Sequence, residues 1–170
     1  MEATKILTKM LPICSKSIRG LNMTDEQLNK AAEEAVSLFK SGYSCSEAVL
    51  LAFEKNSDKT FSDDAKRGMS AFVEGVSGSG CICGALAGAV FVLSTMGGRL
   101  KNDESIQRLK TASKQLHDDF RMEFSSACCR VITAKSAKIF GIGKYNSCHK
   151  TVEFSIRRAL QLASENGWIK

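Results

Sequence analysis

The sequence predicts an all-α fold, a single domain over residues 1–170 built as a bundle of about seven helices. The chain contains one proline and 7% aromatic residues, unlike a sandwich or barrel of many short strands. Apolar residues recur at spacings of three, four and seven, and serine, threonine or asparagine caps precede them. With 44% hydrophobic and 25% charged residues, the composition is that of a folded globular domain, which excludes disorder as the main state.

Caps and glycines mark the helix boundaries. Thr24 and Gln27 form a capping box that opens an amphipathic helix, and Gly42 ends that helix. Ser44 and Glu47 form a second capping box. The first part of the chain also contains an N-terminal helix broken near Pro12, a helix over 62–72 and a glycine loop over 75–84. An apolar helix over 83–96 follows and is ended by Gly97 and Gly98.

The second part begins with a long helix that is capped by Asn102 and reaches Phe124, and a short helix then runs through Val131 and Ile132. After a loose stretch over 141–143, a final helix runs from the cap Asn146-Ser147 to Asn166-Gly167.

The formal net charge of +6 lies entirely in the second part of the chain. Residues 1–100 carry 11 lysines and arginines against 11 acids, and residues 101–170 carry 13 against 7. Acidic residues are interspersed among these bases, which is typical of a solvated helix face rather than of a nucleic-acid surface. We therefore expect no nucleic-acid partner.

The seven cysteines are an odd number in a chain longer than the small secreted disulfide scaffolds. Lysines interrupt the apolar positions of residues 1–19, so this segment lacks the apolar core of a signal peptide. The longest apolar run, over 82–97, has 16 residues, fewer than the roughly 20 of a membrane-spanning helix. We expect a cytoplasmic protein without membrane insertion, in which cysteines serve redox or metal chemistry.

Most of the cysteines fall in the first turn of a predicted helix. These are Cys45, Cys83, Cys128, Cys129 and Cys148. Unpaired backbone N–H groups and the positive end of the helix dipole favour a thiolate there, so we expect lowered thiol pKa values at these positions. Cys14 lies in an ordinary apolar stretch and is interpreted as a packing residue.

The cysteine spacings exclude several familiar sites. No Cys-x-x-Cys pair is present, so a thioredoxin-like motif, a zinc ribbon and a ferredoxin run are ruled out, and hydrolase, P-loop and dinucleotide fingerprints are absent too. A thiol site must therefore be assembled in space. Two close pairs stand out, Cys81 with Cys83 and Cys128 with Cys129. We interpret each pair as a nucleophile with its resolving thiol or as two sulfur ligands of a soft metal. An equally supported alternative is that Cys81 and Cys128 have no role in the site.

The chain has two histidines, His117 and His149. His117 stands beside two aspartates on a polar helix, which predicts a solvated surface residue. His149 follows Cys148 and is a candidate extra ligand or base for the thiol site, although a surface role in the capping turn is favoured.

Four short strings carry a family resemblance. They are Gly42 to Val49, Cys83 to Ala89, Ser126 to Arg130, and Ser147 to Lys150. With them the chain resembles, over about residues 25–165, the C_GCAxxG_C_C family of redox-active bacterial proteins. That family is defined by a CGAxxG motif and four cysteines, and the resemblance implies their role for Cys45, Cys83, Cys129 and Cys148.

The chain departs from the family pattern at two places: the loop over 72–78 is less rich in glycine, and Cys81 and Cys128 are additions. Similar domains occur in a split-Soret type cytochrome, where four cysteines are associated with an iron–sulfur cluster. The resemblance therefore implies a [2Fe–2S] cluster as a candidate cofactor, with zinc as another. The Cys-x-x-Cys-His signature of haem attachment is absent.

The leading hypothesis is a redox protein in which the four family cysteines converge. Either they ligate a metal or a [2Fe–2S] cluster for electron transfer, or they exchange disulfides, with Cys83 as nucleophile and Cys45 or Cys81 as its resolving thiol. The alternative from another class is a helical interaction module with inert buried cysteines. The redox partner is unknown. A homodimer stays open because a strip of small residues, Gly84-Ala85 and Gly88-Ala89, allows close helix packing.

Overall fold

The structure is a computed structural model, and it describes residues 23–136 and 147–170. Its helices are α1 Asp25–Lys40, α2 Cys45–Lys55, α3 Asp63–Gly68, α4 Gly84–Gly97, α5 Gln107–Phe124, α6 Cys129–Ser136 and α7 Cys148–Glu165, with a turn of 3₁₀ helix at Ser70–Phe72. Six of these α-helices in the described ranges have eight residues or more, whereas α3 has six. The all-α prediction is confirmed, and no strand occurs in the described residues.

Four of the sequence-based assignments fall beyond these ranges. The predicted N-terminal helix near Pro12, Cys14, the loose stretch over 141–143 and the cap residue Asn146 all lie outside the described residues. Among the residues that are described, no helix combines the length and the apolar character needed to cross a membrane.

The helices pack around one apolar core. Helix α7 packs against α1, α2, α4 and α5, and α2 packs against α1 and α4. The predicted apolar stripe of α7 is fully buried at Val152, Ile156, Leu160 and Ala163. Burial of a valine, isoleucine or leucine side chain contributes roughly 1.5–3 kcal/mol, which explains why the helix registers are fixed by their apolar faces.

The strip of small residues on α4 is used inside the chain. A Cβ atom on Gly88 would lie 2.7 Å from the carbonyl oxygen of Ser46, so the absence of a side chain lets α4 approach α2 closely. Gly84, Ala85, Gly88 and Ala89 are all buried. Because α2 already covers the strip, it is not a surface for a second copy of the chain.

Both predicted capping boxes are present. The Thr24 N–H donates to Oε1 of Gln27 at 2.8 Å, and the Gln27 N–H donates to Oγ1 of Thr24 at 3.2 Å. The Ser44 N–H donates to Oε2 of Glu47 at 2.8 Å, and the Glu47 N–H donates to Oγ of Ser44 at 3.3 Å. Each box satisfies two backbone donors, which fixes where α1 and α2 begin.

The predicted start of the long polar helix is wrong. Asn102 does not cap it, because α5 begins at Gln107 with Ile106 in the N-cap position. Local hydrogen bonds hold the preceding segment in turns: Oε2 of Glu104 accepts from the Leu100 N–H at 3.0 Å, and Oγ of Ser105 accepts from the Gln107 N–H at 3.3 Å. Side chains that bond nearby backbone groups offer the chain an alternative to helix.

Two further predicted boundaries differ in detail. The helix expected over 62–72 is divided at Met69 into α3 and the 3₁₀ turn. Gly98 is the C-cap of α4 but has an extended backbone, with φ −74° and ψ 173°, rather than the left-handed conformation of a glycine cap. Gly97 has a packing role instead, since a Cβ there would lie 2.6 Å from the Trp168 ring.

Candidate functional site

The four cysteines singled out from the family resemblance lie at the starts of four different helices. Cys45, Cys129 and Cys148 are the first residues of α2, α6 and α7, and Cys83 is the N-cap of α4. Packing of α2, α4 and α7 against one another sets three of these starts side by side. We call this set, Cys45, Cys83, Cys129 and Cys148, the four-thiol centre.

The structure brings the members of the four-thiol centre within electrostatic reach of one another. The charge of Cys45 interacts with those of Cys83 and Cys129. Cys148 interacts with all three others, and with Glu74. Cys45, Cys83 and Cys129 are buried, and Cys148 is half-buried. Distant parts of the chain therefore meet in one largely buried group of thiols.

Glycines make room for these sulfurs. A Cβ atom on Gly84 would lie 2.6 Å from Sγ of Cys45 and 2.5 Å from the carbonyl oxygen of Phe72. Gly75, with φ +72°, would place a Cβ 2.9 Å from the Cβ of Cys129. The glycine after Cys83 thus allows the start of α2 to touch the first turn of α4.

The loop that leads to Cys83 is wound in left-handed backbone conformation. Glu74, Gly75, Val76, Ser77 and Gly78 all have positive φ angles. The Ser77 N–H donates to the Ala71 carbonyl at 2.9 Å, and the Gly80 N–H donates to that of Glu74 at 3.2 Å. Non-glycine residues in this region store strain that the surrounding structure must hold.

Burial dominates the acid–base behaviour of the thiols. Burial, followed by the neighbouring Cys83 and Cys129, raises the pKa of Cys45 to about 12, although the N–H groups of Ser46 and Cys45 oppose the change. Burial likewise raises the pKa of Cys148 to about 12. Burial also raises the pKa of Cys83, although hydrogen bonds from the N–H groups of Leu86 and Ala85 act to lower it. The expected lowering of these pKa values is therefore wrong for the thiols by themselves, because desolvation exceeds the effect of the helix starts.

A pocket of about 450 Å³ opens onto the four-thiol centre. Three of the thiols line it, together with Phe39, Tyr43, Ser70, Val73, Glu47 and Glu74 among others. Cys83 is not part of the lining and lies deeper. Burial acts to raise the pKa of Glu47, but hydrogen bonds from Ser70 and Ser44 outweigh it and hold the pKa below its ordinary value. The pocket thus joins an apolar wall to an ionised carboxylate.

Cys81 and Cys128 are arranged differently from the sequence-based interpretation. Cys81 pairs with neither Cys83 nor Cys129; its Sγ lies 3.3 Å from Sγ of Cys128. Cys81 is exposed and Cys128 is partly exposed. The two added cysteines therefore form a pair of their own, on the outside of the four-thiol centre.

The two histidines lie at the edge of the pocket and on the surface. The ring of His149 packs edge-on against Phe39, with 5.4 Å between centroids, and Phe39 lines the pocket. His117 is partly exposed, and its Nδ1 lies 3.2 Å from Oδ1 of Asp118. The surface placement predicted for His117 is confirmed.

Thr151 is a site residue that the sequence analysis missed. It is buried, its hydroxyl donates to the Cys148 carbonyl at 2.9 Å, and it also hydrogen-bonds to the sulfur of Cys83. The signal in the sequence was its position three residues after Cys148, on the same face of a helix. In the described residues no three His, Cys, Asp or Glu side chains are placed to hold one metal ion.

Comparison with known proteins agrees with the geometry. A family model described as "Putative redox-active protein (C_GCAxxG_C_C)" matches residues 43–162, which contain all four thiols and the pocket-lining loop. No curated protein and no solved structure matches the chain. The match spans most of the sequence and begins two residues before the first of the four cysteines. The chain belongs to the C_GCAxxG_C_C family of redox-active proteins.

Proposed function

We propose that the chain is an electron carrier and that the four-thiol centre ligates a [2Fe–2S] cluster. The observation that carries the proposal is the meeting of four thiols, from the starts of four helices, in one largely buried group. Electron carriers hold such clusters by four cysteine sulfurs, shielded from water. A cytoplasmic location, where thiols stay reduced, and a redox partner still to be identified complete the proposal.

The donor set fits this cofactor by its chemistry. Thiolate sulfurs are soft ligands that select iron–sulfur clusters, zinc or Cu(I). A [2Fe–2S] cluster takes two cysteines on each iron, so its four ligands need not surround a single point. Zinc would take all four sulfurs about 2.3 Å from one centre. Iron and sulfide analysis distinguishes the cluster from zinc.

The electrostatics of the four-thiol centre favour a bound metal over free thiolates. Burial first, and repulsion between neighbouring thiolates second, raise the pKa values of Cys45 and Cys148 to about 12. Metal ions compensate this negative charge, and their binding releases the thiol protons. When bound, a [2Fe–2S] cluster supplies one-electron transfer.

The chain's own residues have defined tasks in this proposal. The N–H groups of Ser46, Leu86 and Ala85 donate to the sulfurs of Cys45 and Cys83, which stabilises negative charge on them and tunes a reduction potential. The Thr151 hydroxyl has one proton, which is directed at the Cys148 carbonyl in this structure and which would turn to the sulfur of Cys83 when that sulfur is a thiolate. Burial limits the exposure of Cys45, Cys83 and Cys129, and Cys83 lies outside the lining of the pocket.

Disulfide exchange at the four-thiol centre is less well supported. Exchange requires an accessible thiolate. Cys83, the nucleophile that the sequence favours for this chemistry, is buried, and burial raises its pKa. A thiol of this kind attacks slowly at neutral pH.

The test is a measurement of iron, inorganic sulfide and visible absorbance on protein purified without oxygen. We expect about two irons and two sulfides per chain, with absorbance that bleaches on reduction. Cys129→Ser should lose most of the iron. Cys128→Ser is the matched control, since it removes the neighbouring thiol outside the four-thiol centre, and it should keep the iron.

Two results would contradict the proposal. Protein that stays colourless and free of iron, even after anaerobic incubation with ferrous iron and sulfide, would overturn it. Fast labelling of two or more of the four thiols would then favour exchange, and slow labelling of all four would favour the inert helical module. Equal iron loss in Cys128→Ser and Cys129→Ser would reject the assignment of the ligands.

A further inference from the structure

The cysteines that the family pattern does not include face each other across two segments of the chain. Cys81 lies at the end of the loop that precedes α4, and Cys128 is the residue before α6. Their Sγ atoms are 3.3 Å apart, although 47 positions separate them in the sequence. Neither belongs to the four-thiol centre.

Backbone hydrogen bonds on both sides hold this pair in place. The Cys83 N–H donates to the Ala127 carbonyl at 2.7 Å, and the Arg130 N–H donates to the Gly80 carbonyl at 3.0 Å. Gly80 is pressed so closely on α6 that a Cβ there would lie 2.7 Å from that of Arg130. The two segments therefore cannot separate without losing these contacts, and the sulfurs remain opposed.

Only a small movement separates the pair from a covalent bond. Sulfurs in a disulfide are about 2.05 Å apart, so closing a gap of 3.3 Å requires an approach of roughly 1.2 Å. A shift of this size is within the range that rotation of the two cysteine side chains can supply.

The pair also differs from the four-thiol centre in access. Cys81 is exposed and Cys128 is partly exposed, whereas Cys45, Cys83 and Cys129 are buried. An oxidant arriving from solution therefore meets Cys81 first, with Cys128 directly behind it as the resolving thiol.

We infer that Cys81 and Cys128 form a second redox site, a surface dithiol that closes to an intramolecular disulfide by reaction with a low-molecular-weight disulfide. The sulfur of Cys81 attacks one sulfur of that disulfide, which forms a mixed disulfide and releases the first small thiol. The sulfur of Cys128 then attacks Cys81, which forms the Cys81–Cys128 bond and releases the second. The small disulfide gains two electrons and the two protons that the cysteines lose. A dithiol reductant reverses the reaction.

This site is independent of the proposed function. It uses none of the four thiols assigned to a [2Fe–2S] cluster, and it forms whether or not metal is present. Its position is still relevant to that centre, because a bond between Cys81 and Cys128 fastens the segments that carry Cys83 and Cys129.

The experiment is peptide mapping of the unmodified sequence after oxidation. Reduced protein is incubated with oxidised glutathione, the remaining thiols are blocked with iodoacetamide, and the protein is digested with trypsin without reduction. Cleavage after Arg67 and Arg99 leaves Cys81 and Cys83 in one peptide, and cleavage after Arg121 and Arg130 leaves Cys128 and Cys129 in another. Fragmentation of the cross-linked pair must therefore locate the bonded sulfurs.

We expect the Cys81–Cys128 cross-link to dominate and to disappear with dithiothreitol. Cys128→Ser should instead leave Cys81 as a mixed disulfide with glutathione, while Cys14→Ser, a thiol outside both groups, should give the same cross-link as the unmodified protein. A bond of Cys81 to Cys83 or Cys14, a bond between two chains, or two separately glutathionylated cysteines would overturn the inference. Iron content measured on the anaerobically purified protein before oxidation reports on the proposed function separately.

Discussion

Sγ of Cys45 lies against the open face of Gly84, only 2.6 Å from where a Cβ atom of that glycine would stand. The carbonyl oxygen of Phe72 closes the same space from the other side, at 2.5 Å from that position. Sulfur on one side and backbone on the other leave no room for a methyl group. The glycine that follows Cys83 thus sets how closely the starts of α2 and α4 meet.

Gly84→Ala should therefore disturb the four-thiol centre. We expect it to lower the free energy of unfolding by roughly 1–3 kcal/mol, the range for overpacking a tight interior, and to lower the iron content of anaerobically purified protein. Chemical denaturation and iron analysis measure the two effects.

Gly68→Ala is the matched control, because Gly68 lies in α3 and a Cβ there meets nothing within 4 Å. This change should leave the iron unaffected and raise helix stability by up to about 1 kcal/mol. If both alanine variants behave alike, the close approach of Cys45 to Gly84 has no functional consequence.

Val76 offers a second prediction, because it is a β-branched residue in a left-handed conformation with φ +56°. Left-handed backbone costs a non-glycine residue roughly 1–2 kcal/mol. We expect Val76→Gly to stabilise the protein by about 1 kcal/mol, measured as a shift of the urea midpoint. Val131→Gly is the comparison, since Val131 has the same 43% exposure but lies in α6. There glycine should destabilise by roughly 0.5–1 kcal/mol, and a destabilised Val76→Gly would show that the loop is unstrained.

Much of the fold follows from local sequence signals. The two capping boxes and the apolar stripe of α7 are short-range patterns, and each is present where the sequence predicts it. Asn102 failed as a predictor because Glu104 and Ser105 bond the nearby backbone and delay the start of α5. A capping residue competes with neighbouring polar side chains for the same backbone groups, and the sequence does not reveal which of them forms the hydrogen bond.

The site shows the same division between local and distant causes. Placement of Cys45 in a first turn follows from the capping box of Ser44 and Glu47, whereas Ser147 precedes Cys148 without a side-chain capping hydrogen bond. The acid–base behaviour of these two thiols does not follow from local signals, because burial and neighbouring thiols come from tertiary packing and outweigh the helix start. Likewise, the partner of Cys81 depends on two segments meeting through hydrogen bonds at Gly80 and Cys83, which no spacing along the chain encodes.

The raised thiol pKa values give a prediction for stability against pH. The pKa of Cys45 rises from 9.0 to about 12 in the folded chain, so above pH 9 the unfolded state loses thiol protons that the folded state keeps. The stability that Cys45 contributes to the metal-free, reduced protein is therefore fully present below pH 9 and is lost as the pH rises towards 12. Urea denaturation at pH 8 and pH 10.5 measures the loss.

Lysine and tyrosine also titrate in this range, so the comparison with a variant is decisive. Cys45→Ala should show a smaller fall in stability between the two pH values than the unmodified chain. Cys81→Ala is the comparison, because the pKa of Cys81 is also raised, but by its hydrogen bond with Cys128 rather than chiefly by burial. A fall in Cys45→Ala equal to that of the unmodified chain would mean that Cys45 is not desolvated.

Thr151 supplies the last prediction, through its hydrogen bonds to the sulfur of Cys83 and the carbonyl of Cys148. Thr151→Val keeps the shape of the side chain and removes the donor, so it should cost roughly 1 kcal/mol of stability and raise the pKa of Cys83 further, since that hydrogen bond lowers it. In the iron-loaded protein the reduction potential should fall, because one donor to a ligand sulfur is lost. Thr151→Ser keeps the hydroxyl and should restore the potential even where its missing methyl group leaves the protein less stable. If the reduction potential instead falls in both Thr151→Val and Thr151→Ser in step with the loss of stability, Thr151 acts through packing alone.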